Sequence, residues 1–133
     1  MKRLVVLLAL AGGPACAQGT FPGTIAGPWT AYTPAPACGT ATITTNAARA
    51  QTVGKTTTLQ LDMTITALGT CTNTFTFTLP NTANSGGGLV GRTSVGSTLN
   101  CFVTTSSSSA GCTVSANLAA TNTVVLSGVY ESQ

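Results

Sequence analysis

The sequence predicts an all-β fold: an antiparallel β-sandwich, jelly-roll-like, of about seven to eight short strands. Three observations lead there. From Thr57 to Leu79, apolar residues alternate with polar ones: Leu59, Leu61, Met63 and Ile65 against Thr58, Gln60, Asp62, Thr64 and Thr66, then Phe75, Phe77 and Leu79 against Thr74, Thr76 and Thr78. A period of two over that length means strands with one buried face and one wet face. Turn-forming clusters at Asn81–Gly88, Gly96-Ser97 and Ser106–Ser109 punctuate the chain, and no segment sustains a helical period.

Taken in order, the chain opens with a short positive stretch, Met1-Lys2-Arg3, and an apolar run, Leu4–Leu10. Ala11-Gly12-Gly13-Pro14 breaks the run, and Ala15-Cys16-Ala17 supplies a small-residue cleavage site. Residues 1–17 therefore read as a secretory signal peptide, too short to span a bilayer. A lipoprotein reading would make Cys16 the lipidated residue, although Gly13-Pro14-Ala15 is a poor lead-in for it. Gln18–Ala37 carries Pro22, Pro28, Pro34 and Pro36 and reads as an extended lead-in anchored by Trp29 and Tyr32. Residues 38–133 then make a single β-sandwich domain with a modest core.

Strands are expected at Thr40–Thr45, Thr56–Thr66, Thr72–Leu79, Leu89–Val95, Thr98–Thr104, Cys112–Leu118 and Asn122–Tyr130. The last has apolar residues on both faces, Val124 and Leu126 against Val125 and Val129. That places it centrally in the sheet or against another subunit. The triple glycine and the serine run read as flexible connections.

Removing the leader with Cys16 leaves Cys38, Cys71, Cys101 and Cys112, an even set in an exported chain, which favours disulfides over free thiols. Cys101 and Cys112 flank the serine run symmetrically. Folding the chain there brings the Leu99-Cys101-Val103 face against Cys112-Val114-Ala116, with the two cysteines opposite. Cys38 and Cys71 then pair by elimination. A structural zinc site is disfavoured by the wide spacing, with no C-x-x-C pair and no histidine. No metal or cofactor is expected.

Chemistry is otherwise sparse. Arg49, Lys55 and Arg92 stand against Asp62 and Glu131, too few and too scattered for a nucleic-acid footprint. Without histidine, and with Lys55 the one lysine after the leader, a nucleophile lacks a base. A paired-carboxylate hydrolase would need Asp62 and Glu131 to meet. Gly54-Lys55-Thr56 lacks the upstream glycine of a phosphate loop, since Arg49 stands there, and reads as a turn into a strand. Trp29 and Tyr32 are candidates for a sugar-stacking platform or for a structural plug at the end of the core. Arg92 is either a solvated edge residue or an intersubunit contact. No catalytic residue is expected.

A further set of residues occurs in a familiar order: Pro28-Trp29-Thr30 with Tyr32-Thr33-Pro34, Gly39-Thr40 with Thr42-Ile43-Thr44, Val53-Gly54-Lys55-Thr56, Leu59 to Thr66, Phe77-Thr78-Leu79-Pro80, Gly91-Arg92, and Leu126 to Glu131. Over about Pro28 to Glu131 this resembles a small β-rich domain at the C-terminal ends of tailed-bacteriophage and prophage structural proteins, typically tail fibres and receptor-binding tips. The resemblance implies a β-sandwich, usually trimeric, that displays a surface for a host receptor and brings no catalytic residues. The family usually reads Gly-Arg-Tyr where Ala48-Arg49-Ala50 stands here.

The expectation is therefore a non-catalytic, secreted or periplasmic binding module of receptor-binding type, contacting a cell-surface glycan or protein, with no membrane span and with a homotrimer as the implied assembly. Candidate contact residues are Asn81, Asn84 and Ser85 in one loop, Ser106 and Ser107 in another, and the aromatics Trp29 and Tyr32. The alternative is a structural subunit, a virion decoration or pilus-like component, that self-assembles without a soluble ligand.

Overall fold

Alternation in the sequence becomes alternation in burial. In a computed structural model, which describes residues 27–133, the chain forms β1 (Thr30–Ala31), β2 (Thr42–Val53), β3 (Thr56–Ala67), β4 (Thr74–Thr78), β5 (Gly87–Thr93), β6 (Thr98–Val103), β7 (Ser109–Val114) and β8 (Thr123–Glu131). The expected leader, with Cys16, and Gln18–Ala26 of the lead-in lie outside the described residues. Leu59, Leu61, Met63 and Ile65 of β3 are buried, as are Phe75 and Phe77 of β4, while the intervening threonines face outward or lie half-buried. Each such apolar side chain contributes roughly 1.5–3 kcal/mol relative to exposure.

The all-β, antiparallel expectation holds, and among the described residues there is no helix. The layering differs from a two-sheet sandwich: all eight strands hydrogen-bond into one sheet, in the order β1-β2-β3-β8-β5-β6-β7-β4. That sheet must curl. A flat sheet of eight strands would hold its edges about 34 Å apart. Yet the chain leaves edge strand β1 at Ala31 and by Ala37 already bridges Thr76 of the opposite edge strand, β4. Six extended residues cover at most roughly 20 Å. The two edges have therefore approached, and one face of the sheet has become the inside of a half-barrel. The linking segment, with Pro34 buried and Tyr32 packed on the core, lies across the opening as a strap.

β4 to β7 form a Greek key, with β5-β6-β7 joined as hairpins and β4 returning beside β7. β8 is central, paired with β3 on one side and β5 on the other. Its inner residues Val124 and Leu126 are buried and its outer Val125 and Val129 half-exposed. β2 runs well past the expected Thr45. A register shift between Thr45 and Ala47 displaces the alternation, so Ile43 and Thr45 face Ile65 and Met63, while Ala48 and Ala50 face Leu61 and Leu59. This β-bulge keeps both halves of a long strand aimed at one core and twists an edge that β1 covers only in part.

Two disulfides fix this frame. Cys101 and Cys112 are direct partners across β6 and β7, and Cys38 is bonded to Cys71, tying the end of the strap to the chain between β3 and β4. All four cysteines are buried.

Candidate binding surfaces

The loops singled out from sequence meet at one end of the half-barrel, where β4 runs out, β5 begins, and the chain terminates. They are locked to one another. The backbone of Ala83, fully buried, receives Ser106 N–H at 2.9 Å and donates to Ser107 O at 2.8 Å. Leu79 N–H donates to Ser108 O, Asn84 N–H to Glu131 O, and Gln133 N–H to Thr82 O. Ser106 adopts a left-handed backbone, φ 57°, at the tip.

The candidate side chains are spent in the same way. The Asn81 amide donates to Thr52 Oγ1 at 3.2 Å and Thr57 Oγ1 at 3.5 Å, while the Tyr130 hydroxyl donates to Asn81 O at 3.0 Å. Buried Thr57 and Ser132 extend this network to Lys55 O. Asn84 Nδ2 and Ser85 Oγ both donate to the Glu131 carboxylate, at 3.1 and 2.8 Å. Those two bonds, Ser85 first, favour the ionised form and hold Glu131 below the usual carboxylate range. Ser107 Oγ donates to Ser109 O at 2.8 Å. Every named residue of these two loops is thus part of the scaffold's own closure.

Trp29 and Tyr32 part company. Trp29 is exposed beside β2, with the Arg49 guanidinium 5.1 Å from its ring centroid and Arg49 Nε donating to Gln60 Oε1 at 2.7 Å. An exposed cation–π contact of this kind contributes about 0.5–1 kcal/mol. Tyr32 packs on the core, and among the described residues its hydroxyl is buried without a hydrogen-bond partner. Burial, with the neighbouring Tyr130, raises its pKa well above the ordinary tyrosine value. Tyr130 is raised as well, chiefly by burial.

The two carboxylates do not converge. Asp62 sits opposite Val125, and Glu131 sits opposite Thr56. Those stretches of β3 are roughly 20 Å apart along an extended strand. Asp62 instead accepts from Asn46 Nδ2 at 2.8 Å. It borders a shallow depression of about 430 Å³ over β2, β3 and β8, with Arg49, Gln60 and Ser127. Among the described residues, no group of three or more His, Cys, Asp or Glu side chains is placed to hold a metal ion.

The feature sequence reasoning sees only in part is on the outer face of the sheet: it marks Val125 and Val129 as apolar on a second face of the last strand, but not Val90 and Phe102. Val90 (62% exposed), Phe102 (58%), Val125 (51%) and Val129 (50%) all point to solvent from β5, β6 and β8. Register makes them neighbours: Gly88 stands between Val129 and Phe102, and Val90 lies opposite Ser127, between the two outer valines. The alternation Leu99, Cys101, Val103 had placed Phe102 on the wet face, which was the available signal. Elsewhere that face carries threonine, asparagine, serine and glycine, together with Asp62 and Arg92, which stand opposite Val125 on either side.

Two buried disulfides suit an extracellular or otherwise oxidising compartment. Among the described residues no helix is long and apolar enough to cross a membrane. No family model, no curated protein and no solved structure matches this chain.

Proposed function

We propose that this protein is an exported, non-catalytic binding module that contacts a cell-surface glycan or protein through the outer face of its curled sheet. The observation that carries this reading is the exposed set Val90, Phe102, Val125 and Val129 on a face otherwise rich in threonine, asparagine and serine, with Arg92 and Asp62 flanking Val125. Exposed, contiguous apolar side chains on a soluble domain cost solvation and mark contact surfaces. The scaffold beneath is closed by two disulfides and by interlocked loops, so the surface is presented rigidly.

The resemblance to receptor-binding tips of tailed phages supports the same reading and adds the rest of the proposal: a jelly-roll-like lineage for the sheet, a signal peptide over residues 1–17, and a homotrimer. A virion location is the alternative setting. The second class of function, a self-assembling structural subunit, is favoured by the same exposed valines, since a copy of the chain could cover them.

The test is binding of the fluorescently labelled, oxidised protein to bacterial cells, with light scattering on the same sample. Saturable binding with a trimeric mass supports the module. Ordered assemblies that bind no cell surface would replace it with the structural subunit.

A further inference from the structure

We propose that the groove between Phe102 and the strap at Ala37 is a carbohydrate site that takes an uncharged pyranose unit, stacked on the Phe102 ring and hydrogen-bonded by Thr74, Thr76 and Thr113. The proposal rests on the binding-module reading above and gives it a place and a ligand class.

Four residues form one row across the sheet: Phe102 opposite Gly111, Gly111 opposite Thr76, and Thr76 bridged to Ala37. Glycine at position 111 shapes the row. A Cβ there would lie 3.3 Å from Phe102 Cζ and 3.5 Å from Cε2, so the tip of the ring leans over the bare backbone of β7 instead of standing away from it. On the other side Phe102 faces Gly88, which also lacks a side chain. An aromatic ring with bare backbone to either side and 58% exposure is a platform. Pyranose rings carry a face of C–H bonds that gains dispersion and apolar burial on such a surface.

Beyond the ring lies a depression of about 320 Å³, lined by Phe102, Gly111, Ala37, Thr74, Thr76 and Thr113 among others. That size is at the lower end of the roughly 300–1,000 Å³ of ligand clefts and suits one or two sugar units. Its threonines differ from those elsewhere. Thr40 and Thr70 bond each other, and the Thr78 hydroxyl accepts from Ala35 N–H at 2.9 Å. Thr74, Thr76 and Thr113 are exposed, and their hydroxyls take no part in hydrogen bonds among the described residues. Each can donate and accept, as sugar hydroxyls do.

Charge decides the ligand class. Arg49, Lys55, Asp62, Arg92 and Glu131 lie on β2, β3, β5, β8 and the β2–β3 turn, and none lines this groove. An acidic sugar would leave its carboxylate unpaired. A peptide adding as a strand is blocked at Thr76, because the outer edge of β4 already pairs with Ala37 through N–H···O bonds of 2.8 and 2.9 Å.

The test uses the oxidised protein and a panel of neutral methyl glycosides (glucoside, galactoside, mannoside, N-acetylglucosaminide) with sialic acid as the acidic comparator, read by amide and aromatic shift mapping. At least one neutral glycoside should shift the Phe102 ring and the Thr76 and Thr113 amides. Phe102→Ala should weaken it about tenfold, the upper range of an aromatic contact, and Thr76→Val about threefold. Phe102→Leu, which keeps an exposed apolar side chain but no flat face, should lose as much as the alanine variant. Arg92→Ala should change nothing. Full binding by Phe102→Leu, shifts confined to β2 and β3, or preference for sialic acid would overturn the site. If no saccharide binds while the labelled protein still binds cells, the carbohydrate proposal falls and the module stands with a protein receptor; if neither occurs, both fall.

Discussion

The two ends of the half-barrel solve the same problem, how to hold loops across the mouth of a curled sheet, by different chemistry. At one end two tight turns, Cys38–Ala41 and Leu68–Cys71, face each other. Each closes with its own N–H···O bond, of 2.9 and 3.0 Å, and the Cys38–Cys71 disulfide joins them. Thr40 N–H donates to Thr70 Oγ1 at 3.1 Å and Thr70 N–H to Thr40 Oγ1 at 3.0 Å. Gly39 and Gly69 have φ of +53° and +54°, and each packs so close to the other turn that a side chain would collide with it. Among the described residues the opposite end has no covalent tie. Loops 79–86 and 104–108 and the C-terminus are held there by backbone bonds and by Tyr130, Asn81, Thr57 and Ser132. Loop residues with hydrogen-bonding side chains are thus not free residues. At this end they have been consumed in closing the fold, and the outer sheet face is what remains for the contact proposed above.

Removing the covalent clasp should have the largest effect. In the loop-entropy account a bridge across 33 residues contributes about 4 kcal/mol and one across 11 about 3 kcal/mol. Urea midpoints of Cys38→Ala/Cys71→Ala and Cys101→Ala/Cys112→Ala should fall in that order. A reversed order would show that the hairpin bridge carries the frame. Next comes Gly69→Ala, which combines a left-handed backbone with a collision against Thr40 and should cost about 1–3 kcal/mol by the same measurement.

The hydrogen-bonded end is probed by its tyrosines. Tyr130→Phe removes the bond to Asn81 O, at 3.0 Å, and should cost about 1–2 kcal/mol. Tyr32→Phe removes a hydroxyl that has no partner among the described residues and should leave stability unchanged or raise it by up to about 1 kcal/mol. Equal losses in the two variants would break the contrast between a used and an unused buried hydroxyl.

The smallest effect is a pH dependence. Ser85 and Asn84 lower the folded-state pKa of Glu131, so its contribution is present above the unfolded glutamate pKa of about 4.3 and is lost as pH falls through the folded value. Melting temperature should therefore drop below that pH, and Ser85→Ala should flatten the drop. A profile identical to the parent would remove Glu131 from the closure of this end.

Much of the sheet was legible because its information is local. Leu59 to Ile65 and Phe75 to Phe77 write their burial in a period of two, and Cys101 and Cys112 sit at matched distances from a turn. The second half of β2 was not legible. The bulge after Thr45 breaks the period, and Ala47, Ala48 and Ala50 are too small to announce a buried face. Asn81, Asn84 and Ser85 looked like contact residues because sequence shows a side chain's capacity to hydrogen-bond and not whether a partner is at hand. By itself, then, the sequence determined an all-β chain, which face of each strong strand turns inward, and the hairpin cysteine pair, since each depends on neighbours within a few residues. Tertiary structure alone decided that the strands join one curled sheet, that β8 runs between β3 and β5, that the strap brings Ala37 to Thr76, and that Phe102 leans over Gly111. Those are contacts between distant stretches of chain, fixed by which edges and faces are left to pair once the local strands have formed.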